Sequence, residues 1–171
     1  ISGILGFVGD IVASMIGFFD SGFGGLHVLR GITARLPEYD YIYLGDSARA
    51  PYGPRSSDEV YSFTKQGVEF LFAHGAEIVV LACNTASSEA LRKIQQGYQK
   101  EGSNKKVLGV LIPFAEAAAA HTKNKRVGVM ATEGTVRSNA FPREITKVDS
   151  AIQVFQQSCP MLVPLVEAGQ Q

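Results

Sequence analysis

The residues able to do chemistry sit in short polar turns that follow apolar runs. Cys83 comes first. It lies near the end of EIVVLACN, in which Ile78 to Leu81 run together without alternation, and a helix-compatible segment follows directly. A helix N-terminus presents free N–H groups and a partial positive charge, an environment that lowers a thiol pKa and favours the thiolate. Asn84 and Thr85 add an amide and a hydroxyl able to hold a substrate carboxylate. The bland alternative is an inert buried thiol, common in strands. The residues alone leave both open.

Asp20-Ser21-Gly22-Phe23-Gly24-Gly25 is a Gly-rich strand-to-helix turn. It lacks the G-x-G-x-x-G spacing of dinucleotide sites and the G-K-[ST] of a P-loop. Its glycines still allow a ligand close to the backbone. Asp20 can steer an ammonium group, or simply cap the helix. Pro51-Tyr52-Gly53 forms a sharp bend after Gly45-Asp46-Ser47. Tyr52 and the Gly53 N–H can donate to an anion, and a plain surface turn has the same composition. Thr132-Glu133-Gly134-Thr135 offers hydroxyls that either grip a carboxylate or cap a helix, and Glu133 suits a first helical turn. His27, His74 and His121 are read as structural or solvent-facing, with no metal triad among them.

Alternating strands and helices must position these turns. MIGFFDSG, YDYIYLGD, EIVVLACN, KKVLGVLIP, KRVGVMAT and AIQVFQQSC read as strands. LHVLRGITARL is a helix stopped by Pro37. A second opens at Ser57-Asp58-Glu59 and runs to about His74, with Gly75 beyond it. TASSEALRKIQQGYQK is the next, with Thr85 near its N-cap, followed by FAEAAAAHTKN. EGTVRSNAF begins a helix interrupted by Pro142, and PMLVPLVEAG is a last short one. Strands joined by helices imply parallel pairing with right-handed crossovers, hence a doubly wound α/β fold. Such sheets bind ligands at the carboxyl ends of their strands. FDSG, GDSARAPYG, ACNT and MATEGT all fall there, and are expected to form one site. LACNTAS and VMATEGT echo each other, which suggests two similar units with a seam near Pro113.

Composition removes other classes. Of 171 residues 46% are apolar, enough for a packed core. Sixteen basic residues balance sixteen acidic ones, so there is no basic footprint for direct nucleic-acid binding and no support for membrane attraction. Two cysteines without a C-x-x-C pair argue against a disulfide scaffold or a cysteine zinc site, and fit a reducing cytoplasm. Ile1 to Ser14 is apolar but broken by Asp10, and shorter than a membrane-spanning helix. Met15 directly precedes the first strong strand, so residues 1–14 are expected to be an extension.

In order, IGFFDSGFGGLHVLR, YLGDSARAPYG, LACNTAS, VMATEGT and CPMLVPLVEAG closely resemble the aspartate/glutamate racemase family, over about Met15 to Gly169. The resemblance implies a pseudo-symmetric pair of α/β domains, here residues 15–112 and part of a second in 113–171, with the site between them. It implies cofactor-independent, metal-independent interconversion of L- and D-glutamate in the cytoplasm, supplying D-glutamate for peptidoglycan. Two cysteines would act on opposite faces of the α-carbon. The motif match makes Cys83 the base expected to act on D-glutamate, with Asp20 assisting it or the substrate ammonium. Asp20, Ser21, Tyr52, Gly53, Asn84 and Thr85 match substrate contacts, as do Thr132 and Thr135. Homo-oligomers are compatible with this reading.

The chain departs from the family pattern in one respect. The family's second cysteine lies in a G-C-T-H-Y-P-like motif past the V-P-L-V-E segment, and the sequence reaches Gln171 without it. Cys159 matches an earlier C-P element and is expected to be structural. Inversion requires protonation opposite the face of deprotonation, so the chain alone is expected to racemise poorly. The alternatives are an aspartate racemase or related amino-acid isomerase, and a non-catalytic module that binds an acidic amino acid.

Overall fold

The computed structural model describes residues 14–169; nearly all of the expected extension lies outside the described residues. Strand β1 (Met15–Asp20) leads into α1 (Gly25–Thr33), then β2 (Asp40–Gly45), α2 (Ser57–Ala73) and β3 (Ile78–Leu81). Helices α3 (Asn84–Glu89) and α4 (Leu91–Lys100) connect to β4 (Lys106–Gly109). There follow α5 (Leu111–His121), β5 (Arg126–Ala131), α6 (Glu133–Arg137), α7 (Ala140–Val148), β6 (Gln153–Ser158) and α8 (Leu162–Glu167).

The first four strands form one parallel sheet in the order β2-β1-β3-β4. The chain moves from β1 outward to β2, then returns across β1 to reach β3. Right-handed crossovers place α1 on one face and the later helices on the other. The order therefore reverses between β1 and β3, and the crevice beyond their carboxyl ends is the topological switch point. Asp20 and Ser21 leave one side of that crevice, and Ala82 and Cys83 the other. Strands β5 and β6 pair in parallel as a separate two-stranded sheet.

The main core gathers Phe19 of β1, Val79 and Leu81 of β3, Val60, Val68 and Leu71 of α2, and Tyr52 from the loop before it, all essentially inaccessible. Burial of Gly17 to Asp20 on both faces fits the apolar run of β1, while β3 buries Val79 and Leu81 fully and Ile78 and Val80 in part. A second cluster joins Ala115 of α5, Ile145 of α7 and Ile152. At the start of α2, Ser56 and Glu59 form a capping box, and Gly75 follows the helix with φ +94°.

The elements differ from expectation at four places. The apolar stretch after Lys105 is not one strand: β4 stops at Gly109, and Leu111-Ile112-Pro113 opens α5. Pro113 is the third helical residue, where its missing N–H is one of the orphan donors of a first turn. Pro142 stands at the same position in α7 and does not interrupt it. The break lies earlier, at Asn139, whose φ of 51° is left-handed. The helix after Cys83 is two helices meeting at Ala90, and its first cap is Cys83 rather than Thr85. Finally, α1 ends at Thr33, ahead of Pro37.

Leu81 is fully buried in β3, two residues before Cys83. Leu81→Ala is expected to lower stability by about 2–5 kcal/mol in urea titration, with an unchanged m-value. A loss below about 1 kcal/mol would show that β3 is not at the centre of the core.

Candidate active site

Strand β3 is paired on both edges, with β1 and β4, and Cys83 follows it as the N-cap of α3 in extended conformation (φ −75°, ψ 122°). Its sulfur accepts from the Ala86 N–H at 3.4 Å and is hydrogen-bonded to the Ser21 hydroxyl at 3.4 Å. The second contact crosses the switch-point crevice from the end of β1. Asp20 sits beside it, only 6% exposed, with Oδ2 accepting from the Gly22 N–H at 2.9 Å. The Asp20 carbonyl accepts from the Asp46 N–H, which ties this turn to the end of β2.

Cys83 is 6% exposed, and the exposed part opens into a cavity of about 850 Å³. Asp20, Ser21, Tyr52, Gly53, Asn84, Thr85, Thr132 and Thr135 all line that cavity. Every site residue expected from the sequence is therefore brought to one place. Thr85, Thr132 and Thr135 form a closed triangle of hydroxyls, 2.9, 3.1 and 3.5 Å apart. Thr132 also caps α6 by accepting from the Thr135 N–H, so the capping and cavity-lining roles coexist. The triangle joins the four-stranded sheet's side of the cavity to the β5–β6 side. Gly53 makes a second link, its carbonyl accepting from the Gly134 N–H at 2.9 Å. A Cβ on Gly53 would lie 2.8 Å from the Thr132 Cβ, so only glycine fits this approach.

Tyr52 differs from expectation. Its hydroxyl donates to Asp46 Oδ2 at 2.5 Å, and its ring packs against Phe19 and Phe63. Asp46 is also paired with Arg49 at 2.7 Å. Burial and the bond to Asp46 hold the Tyr52 hydroxyl well above the usual tyrosine range. The side chain fixes the loop, and its hydroxyl is committed to Asp46.

The electrostatics of Cys83 also depart from the helix-terminus argument. Burial pushes the thiol above the usual cysteine range, and the Asp20 carboxylate pushes it further. The Ser21 hydroxyl and the N–H groups of Ala86 and Ser21 pull downward without offsetting this. Burial and the Asp20 charge thus both disfavour the thiolate in the free protein.

Sequence reasoning missed several contributors. Tyr43 donates to the Gly22 carbonyl at 3.0 Å from the middle of β2. His27 and Glu167 line the cavity, Glu167 from α8 beside Gly22. Cys159 lines it too, although it was expected to be a structural thiol; it is partly exposed and not disulfide-bonded. His74 and His121 lie 2.8 Å from carbonyls near their helix ends, as expected for structural histidines. Among the described residues no three His, Cys, Asp or Glu side chains are grouped to hold a metal ion. No helix among them is long and apolar enough to cross a membrane.

The family model described as Asp/Glu/Hydantoin racemase matches residues 24–171. The chain belongs to that racemase family. A glutamate racemase of Oceanobacillus iheyensis is 46% identical over 154 residues, which cover 90% of this chain and 54% of that protein. Among solved structures, a glutamate racemase isoform from Bacillus anthracis superposes with a TM-score of 0.83 at 41% identity, over 90% of this chain and 56% of the other. A glutamate racemase from Francisella tularensis, solved in complex with D-glutamate, has a TM-score of 0.80 at 34% identity, over 92% and 57%. The racemase-family chain thus spans little more than half the length of these relatives.

In this racemase-family site, Asp20→Asn removes the charge that raises the Cys83 thiol. The pH midpoint for Cys83 alkylation is expected to fall, so alkylation at pH 8 becomes faster than in the wild type. A midpoint that rises would show that Asp20 does not act on the sulfur by charge.

Proposed function

We propose that Cys83 is the base on one face of the α-carbon in a cofactor-independent racemisation of glutamate. The observation that carries this is the position of its sulfur: at the β1/β3 switch point, hydrogen-bonded to Ser21, and open to a cavity rimmed by hydroxyls. The relatives' names favour glutamate over aspartate as substrate.

The chemistry follows from the charges. An acidic amino acid brings an ammonium group and two carboxylates. Asp20 receives the ammonium, and neutralising its charge removes one of the two effects that raise the thiol. Substrate binding thereby favours the thiolate where it is needed. The Gly53 N–H and the Asn84 amide supply donors to the carboxylates; the Thr85–Thr132–Thr135 hydroxyls, each paired within its triangle, reach them by turning one O–H outward on binding, while the Ser21 hydroxyl serves the Cys83 sulfur. The thiolate takes the α-proton and becomes a thiol, while the electron pair spreads onto the α-carboxylate. Return of a solvent-exchanged proton to the same face gives isotope exchange. A proton delivered to the opposite face gives the enantiomer, and that step needs a second acid.

In this reading residues 15–112 and 113–171 are two units that meet at the site, supported by their separate sheets and cores. The setting is the cytoplasm, where both cysteines stay reduced, and the product D-glutamate serves peptidoglycan synthesis.

The test is hydrogen exchange at the α-carbon of D-glutamate in D2O, followed by NMR alongside racemisation by circular dichroism. The wild-type chain is expected to incorporate deuterium, and Cys83→Ala to lose at least about 100-fold in rate. Exchange that survives in Cys83→Ala, or that disappears in Cys159→Ala instead, would overturn the assignment. No exchange with glutamate but exchange with aspartate would move the substrate to the shorter acid.

A further inference from the structure

The turn that carries Asp20 and Ser21 is gripped from β2 at two carbonyls. Asp46 N–H donates to the Asp20 carbonyl at 2.9 Å, and the Tyr43 hydroxyl donates to the Gly22 carbonyl at 3.0 Å. The reach of Tyr43 follows from strand geometry. Tyr43 pairs with Phe18 and Gly45 with Asp20 in the parallel ladder. Residues two apart share a face and are separated by about 6.6 Å along the strand. Tyr43 therefore leans forward over Gly45 toward the turn. Gly45 leaves room for this: a Cβ there would meet the Gly22 carbonyl oxygen at 2.6 Å and Tyr43 Cε1 at 3.2 Å.

We propose that Tyr43 is a positioning residue, whose hydroxyl fixes the Asp20–Gly22 turn so that Ser21 stays hydrogen-bonded to the Cys83 sulfur. The assignment rests on the reading of Cys83 as the proton-transfer base. Tyr43 touches the backbone of the turn at the Gly22 carbonyl and also lies beside the Asp20 carboxylate, so both of its contacts are with the turn that carries Ser21. Burial and the neighbouring Asp20 and Cys83 hold its hydroxyl far above the usual tyrosine range, so it remains a donor throughout neutral pH. The titratable groups that face the sulfur are Asp20 at the end of β1, Tyr43 of β2 and Tyr52 of the following loop; His27 and Glu167 line the wider cavity.

The test is a double-mutant cycle read at the sulfur. Alkylation of Cys83 by iodoacetamide is followed across pH by peptide mass spectrometry, and each variant is normalised to its own high-pH rate to remove changes in access. Ser21→Ala is expected to raise the midpoint by about 0.4–1 pH unit, the worth of one hydrogen bond to the thiolate. Tyr43→Phe is expected to raise it in the same direction, and to add nothing in the Ser21→Ala background. Gly45→Ala displaces the same carbonyl by contact and gives a second route to the same result. An unchanged midpoint in a folded Tyr43→Phe, or a shift that persists without Ser21, would overturn the proposal. Because the assay reads the thiol and not turnover, it stands apart from the outcome of the isotope exchange.

Discussion

The contact between the Ser21 hydroxyl and the Cys83 sulfur holds the account together. It spans the point at which the sheet order reverses, so its two ends come from strands that diverge in topology but pair directly in space. Everything around it preserves that geometry. The buried cores of β1 and β3 fix the strand ends, β2 grips the turn after β1, and α3 starts on the sulfur itself. Without this crossing contact, Cys83 would be what a buried cysteine usually is: a small, inert core residue.

The electrostatic balance at Cys83 explains why so many weak interactions converge there. Burial and the Asp20 charge hold the proton on sulfur, while three donors work in the opposite direction. A thiol held protonated in this way is easier to ionise when a cation neutralises Asp20, whereas a freely exposed thiolate is open to oxidation. The same burial excludes water from one side of the sulfur, which makes the remaining charges act at lower effective dielectric. The threonine triangle and the Gly53–Gly134 bond tie the Cys83 side of the cavity to the β5–β6 side.

Much of this was legible from residue order. The switch-point strands announced themselves as unbroken apolar runs ending in polar turns, and the cavity collects the eight expected site positions besides Cys83 itself. What sequence could not supply was direction and competition. Tyr43 looked like any aromatic strand residue, because its reach to Gly22 depends on the pairing register. Tyr52 was expected to face a ligand, but Asp46 lies closer to its hydroxyl. The sequence left an eased and a hindered thiol both open, because helix-terminus effects are local, while burial is tertiary. Pro113 and Pro142 read as breaks, yet a third helical position tolerates proline.

The chain matches its racemase relatives over 90% or more of its own length and little more than half of theirs. The central claim concerns where one sulfur points. A crystal structure with D-glutamate bound measures that most directly. The account predicts the ligand's α-carbon about 3–3.5 Å from Cys83 Sγ, with its ammonium on Asp20. A ligand lodged elsewhere, or seated in the cavity with its α-hydrogen turned away from that sulfur, would contradict it.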